Sequence, residues 1–327
     1  MRKVITIICT VTIIVCAVLI VWNIVKERNH MQWEEEFANE FLLTPDEVVS
    51  SEGEEDGQIE EEPYVYENLS GERKNVNFKK LEETNDQSIG WIYIPSTTIN
   101  HPVVQGSNNE YYLKKNIYGQ NSVYGSIFAD HANIFSPMDT NIVLHGHNMG
   151  LGKTSMFSQL VKYANPTWFK DRNMVQFDTK YGTGVWEVFT AFDIDYTADN
   201  DGFNYMRENF MNQKDFDDFI AKAKSLSHVY SDANVKYGDK ILTLSTCNKK
   251  YYGDNGRFVV MAVLREGTLI TKKTVSSPTD EIVDGPLDEA IHESPEETVD
   301  EPLSEETPDG AEVTNEATDE VVDEGEI

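Results

Sequence analysis

The stretch Ile241-Leu242-Thr243-Leu244-Ser245-Thr246-Cys247, with Arg257-Phe258-Val259-Val260-Met261-Ala262-Val263-Leu264 shortly after it, decides the fold of this chain. Apolar residues interleave with Thr and Ser in the first segment. The second is a nearly unbroken apolar run. Both read as β-strands bounded by polar turn residues. Cys247 ends the first strand, where a side chain can stand at the rim of a sheet, and Arg257 opens the second. His147 lies one hundred residues before Cys247 and follows Gly146 at the end of a third apolar strand. The other two cysteines, Cys9 and Cys16, fall in an apolar N-terminal stretch, so Cys247 is the one thiol available to a soluble domain. A thiol, an imidazole and a guanidinium are the parts of a cysteine acyl-transfer site: nucleophile, proton carrier and oxyanion donor.

Further strands are expected at 91–94, 101–104, 126–129, 141–146, 174–179 and 184–193, separated by Gly, Asn, Asp and Pro. Together with 241–247 and 257–264 they suit a closed barrel. Residues 78–85, 155–163 and 166–170 read as short helices. A longer helix is expected over 204–228, where Phe210, Phe216, Phe219, Ile220, Ala223 and Leu226 recur among charges at a helical period. The fold class is therefore mainly β, a barrel decorated with helices.

The 327 residues carry a formal net charge of −30, very unevenly spread. Residues 34–62 hold 13 Asp/Glu and residues 274–327 hold 20, with no Lys or Arg in either stretch, whereas 63–273 is balanced at 23 of each sign. The acidity belongs to two flanks. Their charge and scarcity of aromatics predict disorder, because burial there cannot offset chain entropy. No basic stripe stands out, so nucleic acid is not an expected partner. Residues 4–25 form an apolar run long enough to span a bilayer. It is longer than a signal-peptide core and has no small-x-small cleavage site near Val25, which favours an uncleaved anchor. Arg2 and Lys3 before it balance Lys26 and Arg28 after it, so charge alone leaves the orientation open. Residues 26–43 have helical character, with Trp33, Phe37 and Phe41 on one face.

The chemistry has bland alternatives. A lone cysteine is most often a buried, inert hydrophobe. An arginine is usually solvated, yet Arg257 begins an apolar strand immediately after Gly256. His145 and His147 flank Gly146 with the same parity, so both are expected on one face of their strand, and spacing alone does not choose between them. A metal pair there would need further Cys or carboxylate ligands at suitable spacing, and none lies nearby, so no metal is expected. Ser245 shares the Cys247 face by alternation, and Thr246 points behind it.

Taken together, Thr243-Leu244-Ser245-Thr246-Cys247, Gly256-Arg257-Phe258-Val259-Val260 and Gly146-His147-Asn148-Met149 resemble the sortases, membrane-anchored cysteine transpeptidases of mainly Gram-positive bacteria. Gly90-Trp91-Ile92-Tyr93-Ile94-Pro95, Pro102-Val103-Val104-Gln105, Tyr111-Tyr112-Leu113 and Gly125-Ser126-Ile127-Phe128-Ala129-Asp130 resemble class B in particular. The resemblance covers about residues 75–267. It implies a cytoplasmic segment 1–3, a transmembrane anchor 4–25, a helical stalk and acidic linker 26–74, an extracellular sortase-type barrel 75–273 and an acidic tail 274–327. It implies catalysis by Cys247, His147 and Arg257, the histidine being the one that follows the glycine. His145, Ser245 and Tyr205 are expected to bind substrate, Tyr205 together with Asn204 and Met206 at the start of the 204–228 helix. The implied reaction cleaves a C-terminal sorting signal after Thr, forms a thioester and transfers the protein to a peptidoglycan precursor or cross-bridge amine, with no cofactor. The implied partners are surface proteins bearing that signal, and the membrane. Alternatives are a pilin-polymerising sortase and a cysteine peptidase that hydrolyses. A papain-like enzyme would place its cysteine at the start of an early helix, and an L,D-transpeptidase would show Ser-His-Gly-Cys. A non-enzymatic adhesion scaffold is separated from all of these by detecting a thioester.

Overall fold

The computed structural model describes residues 2–44, 73–150, 152–198, 200 and 203–267. Most of the acidic linker and the whole 274–327 tail lie outside the described residues.

Eight strands close a barrel in the order β1-β2-β3-β4-β7-β8-β6-β5. They are β1 Ser88–Tyr93, β2 Asn100–Val104, β3 Ile127–Ala129, β4 Asn141–His145, β5 Met174–Thr179, β6 Val185–Asp195, β7 Ile241–Cys247 and β8 Gly256–Glu266. Each falls where the sequence pattern placed a strand. β2–β3 and β4–β7 pair in parallel and the rest antiparallel. The C-terminal ends of β1, β4, β6 and β7 therefore gather at one end of the barrel.

Both faces of the β7–β8 pair are buried, which explains the apolar run of β8. Leu242, Leu244, Phe258, Val260 and Ala262 fill the barrel interior with Ile92, Ile142 and Trp186. Ile241, Val259, Met261 and Val263 point outward under a helix, α4, Gln213–Ser225. α4 begins where the Asn212 side chain accepts the Asp215 N–H, and it buries Phe216, Phe219, Ile220 and Ala223 on one stripe. It is shorter than the 204–228 helix expected from periodicity. The Asn141 side-chain amide donates to the carbonyls of Tyr205 and Arg207, and the Asn141 N–H donates to Glu208 O. These bonds hold residues 205–208 against the start of β4, and the helix starts only after them.

The shorter helices are α2 Phe78–Thr84, α3 Pro166–Asp171 and α5 Lys249–Tyr252, with a 3₁₀ turn at Leu160–Ala164. α1 runs unbroken from Arg2 to Phe41. Its apolar part is exposed along its length, and the helix is apolar and long enough to cross a membrane. Its C-terminal part docks on the barrel instead, so residues 34–41 of the acidic flank are helical and partly buried rather than disordered, because their Phe37, Ala38 and Phe41 find an apolar surface to pack on. Phe37, Ala38 and Phe41 pack with Leu81, Trp91, Val104, Tyr112 and Phe128 in a cluster of their own.

Candidate active site

Cys247 and Arg257 are direct cross-strand partners at the ends of β7 and β8. Cys247 is half-buried and its thiol is free. The Arg257 guanidinium lies 4.1 Å from the centroid of the Tyr196 ring, and its Nη1 donates to Asp254 O at 3.0 Å and Gly256 O at 2.9 Å. A guanidinium has five N–H donors. Among the described residues, none accepts from Nε or Nη2. Stacking and the two backbone bonds fix the plane of the group and leave donors aimed elsewhere.

The neighbouring parallel strand, β4, pairs His145 with Ser245 and then ends. Gly146 turns the chain out of the sheet in a space that excludes any side chain. A Cβ there would meet Ile127 Cδ1 at 2.4 Å and the Phe157 ring at 2.8 Å, a clash of the kind that costs about 1–3 kcal/mol to relieve. The strand stops at His145, so the alternation that would put His145 and His147 on one face does not extend to His147. The two rings have different partners. His147 Nε2 lies 2.8 Å from Leu113 O. A carbonyl only accepts, so Nε2 carries the proton and Nδ1 is the ring atom left for exchange.

The β4 and β7 ends remain tied beyond the last ladder rung. Gly146 N–H donates to Ser245 O at 3.2 Å, Thr246 Oγ1 to Gly146 O at 2.7 Å and Asn148 Nδ2 to Cys247 O at 2.9 Å. Thr246 thus bonds behind the strand, as its parity required. Asn148 and Leu113 belong to the motifs that resemble the family, but the sequence assigned them no role, because neither carries reactive chemistry and their contacts depend on long-range pairing.

His145 Nε2 sits 2.9 Å from Asp130 Oδ2. Burial alone would raise the Asp130 carboxyl, but the His145 hydrogen bond and charge, the Ala132 N–H and the Asn109 amide outweigh it and bring the pKa down to about 2. A carboxyl depressed in the folded state stabilises the protein above its unfolded pKa. That contribution is lost as pH falls through the folded value. Asp130→Asn is therefore expected to cost about 1 kcal/mol at pH 6, less than the whole shift would give, because solvent screens a carboxyl near the barrel rim. In urea unfolding of the chain in detergent, the gap between wild type and variant should close between about pH 4 and pH 2. A gap that does not change with pH would show that the pair is not what depresses Asp130.

Ser245 is buried, and its hydroxyl meets the Tyr205 hydroxyl at 3.1 Å. Burial raises the Tyr205 phenol, with partial opposition from Ser245 and the Arg257 charge, so it stays protonated at neutral pH. Tyr205 also lines a groove of about 250 Å³ with Ile194, Tyr196, Phe203, Asn204 and Met206. A separate cavity of about 930 Å³ is lined by Cys247, Asn148, Lys153, Asp193, His228 and Phe258, among others. In it, Asp193 accepts from His228 Nε2 at 2.8 Å and from Asn248 Nδ2 at 2.5 Å, which holds the residue after the cysteine. This His–Asp pair was not visible in the sequence, where the two residues stand 35 apart. Among the described residues, no group of three or more His, Cys, Asp or Glu side chains could hold a metal ion.

A free thiol at a strand end, a guanidinium on the paired strand opposite it and an imidazole just past the end of the adjoining strand thus stand at one end of a closed barrel. The Sortase domain model matches residues 92–265, and the chain belongs to the sortase family. Its relatives are class B cysteine transpeptidases. It is 35% identical over 191 residues to Sortase B of Staphylococcus aureus, covering 58% of this chain and 75% of that protein. It is 32% identical over 212 residues to Sortase B of Listeria monocytogenes, covering 63% and 78%. Among solved structures, a Staphylococcus aureus sortase B–substrate complex superposes with a TM-score of 0.53 at 34% identity, covering 58% of this chain and 85% of that one. Sortase B of Clostridium perfringens gives 0.53 at 30%, covering 58% and 100%.

Proposed function

We propose that this sortase cleaves a C-terminal sorting signal after threonine and transfers the protein to a cell-wall amine, with Cys247, His147 and Arg257 performing the chemistry. The observation that carries this reading is the cross-strand pairing of Cys247 with Arg257. It places an always-charged donor beside the nucleophile.

The Cys247 thiolate attacks the threonine carbonyl carbon, and the carbonyl electron pair moves onto oxygen. Arg257, through the donors that its backbone bonds leave unused, stabilises that oxyanion. The intermediate collapses, the C–N bond breaks, and protonated His147 gives its proton from Nδ1 to the leaving amine. A thioester remains. An incoming amine attacks it, neutral His147 takes a proton from that amine, and collapse of the second intermediate releases the Cys247 thiolate. The outer-face groove containing Tyr205, Asn204 and Met206, with Ser245 and His145 beside it, is the surface that receives the sorting peptide. A sortase B solved in complex with triglycine supports an amine as the second substrate. α1 anchors the chain, with the barrel outside the cell.

The test is mass spectrometry of the chain incubated with peptides ending in NPxTN-type or LPxTG-type signals. A thioester adduct on Cys247 is expected, and added triglycine should convert it to a transpeptidation product. A product formed only by water, with triglycine present, would make the enzyme a peptidase.

Arg257→Ala should lower turnover by about 10²–10³, the usual consequence of losing one oxyanion donor. Arg257→Lys should fail nearly as badly, because an ammonium lacks the planar fork and cannot reproduce the stack on Tyr196. Near-normal turnover in Arg257→Lys would reduce the residue to a source of positive charge.

A further inference from the structure

α1 descends the side of the barrel from one end to the other. Near its docked start, Lys153 Nζ donates to Asn23 Oδ1 at 3.3 Å and pairs with Glu27 at 3.2 Å, and Ser155 donates to Glu27 at 2.8 Å. Further along, His30 stacks on Tyr124, and Phe41 packs near Trp91. Leu42 then bridges to Val76, beside α2 and the start of β1. The membrane-facing end of the docked helix thus lies at the barrel end where β4 and β7 finish, the end that carries Cys247.

The level can be placed along the helix. The apolar run ends at Val25. Asn23 and Glu27 stand two residues before and after that point, about 3 Å of rise each way. A headgroup layer adds roughly 5–7 Å to each side of the hydrocarbon. Lys153 therefore sits within that layer. The cavity at Cys247 joins Lys153 to the other rim, since Gly150, Gly152, Lys153 and Thr154 line it together with Lys249, Lys250 and Tyr251. The second rim is α5, Lys249-Lys250-Tyr251-Tyr252, which follows the nucleophile almost directly. Tyr251 and Tyr252 are 55% and 45% exposed. Lys250 lies over the Tyr251 ring, and Lys249 pairs with Asp254. Tyrosine and lysine are the residues that settle at a bilayer interface.

Resting on the reading of α1 as a membrane anchor, we propose that the catalytic end of the barrel lies face-down on the bilayer, with α5 and the Lys153 loop seated in the anionic phospholipid headgroups. The cavity at Cys247 then opens at the membrane plane rather than away from it. The net charge of −30 sits in the flanks and is repelled by such a surface, so the attraction is local to this rim.

Hydrogen exchange on the full chain in nanodiscs tests this. Discs of phosphatidylglycerol are compared with discs of phosphatidylcholine, and residues 234–240, at the opposite barrel end, serve as reference. Exchange across Lys249–Tyr252 should be at least about fivefold slower on phosphatidylglycerol, since each headgroup-level lysine strengthens attachment by roughly that factor. The difference should vanish at about 0.5 M salt and in the double variant K249E/K250E, while the reference stays unchanged. Equal rates in the two lipids, in wild-type chain retained by the discs, would overturn the face-down arrangement and leave the anchor standing. A chain that fails to enter the discs would overturn both.

Discussion

Cys247→Ala is expected to leave a folded chain that forms no acyl-enzyme. The side chain stands half-buried at a strand end, and its thiol bonds to no described residue. Loss of the sulfur should therefore cost no more than about 1 kcal/mol of stability. The effect on chemistry is of another order. Turnover should fall by about 10⁶, the scale on which deleting a covalent nucleophile is felt in an acyl-transfer enzyme. Mass spectrometry with a sorting peptide reads the missing adduct, and circular dichroism with thermal melting reads the intact barrel. Transpeptidation surviving in a well-folded variant would remove Cys247 from the mechanism.

The second large effect distinguishes two histidines two residues apart. His147→Ala should lose at least about 10²–10⁴ in turnover, the range of a positioned acid–base group. His145→Ala should act mainly on stability. It removes one of several partners of the buried Asp130 carboxylate, which keeps Asn109, the Ala132 N–H and His131, at a cost of about 1–2 kcal/mol. Comparing kcat and melting temperature for both variants separates the roles. A larger loss of turnover in a stable His145→Ala than in His147→Ala would transfer the proton carrier to the strand residue.

The barrel was legible because its strands carry their own signal. Alternation in β7 sorts Leu242 and Leu244 from Ile241 and Ser245, and the apolar run of β8 reads as a strand covered on both faces. The long α1 was legible as two pieces, an apolar span and a helix with Trp33, Phe37 and Phe41 on one side. α4 was legible as a helix but not in its length. Tyr205 to Glu208 fit a helical period, yet Asn141 takes their carbonyls, and nothing local to that segment announces a competitor more than sixty residues away.

The site divides the same way. Cys247 and Arg257 could be singled out because each stands at a strand boundary in a residue type with few structural uses there. The choice of His147 over His145 came from resemblance to the family, since parity alone treated the two alike. Their separation is tertiary. Gly146 leaves the sheet in a gap between Ile127 and Phe157, Leu113 fixes the tautomer of one ring, and Asp130 claims the other.

The sequence by itself determined the strands, the length of the apolar run in α1, the charge of the flanks and the place of the one thiol outside that run. These follow from periodicity, composition and the scarcity of one residue type, all of which act over a few neighbours. Only the tertiary structure decided that β4 and β7 lie side by side, that Asp193 and His228 flank the cavity at Cys247, and that α1 docks against the barrel with Glu27 beside Lys153 and Phe41 beside Trp91. Those relations depend on which distant segments share a ladder or a core. Closing the barrel selects them at once, because each strand must bury its faces against the neighbours that closure provides.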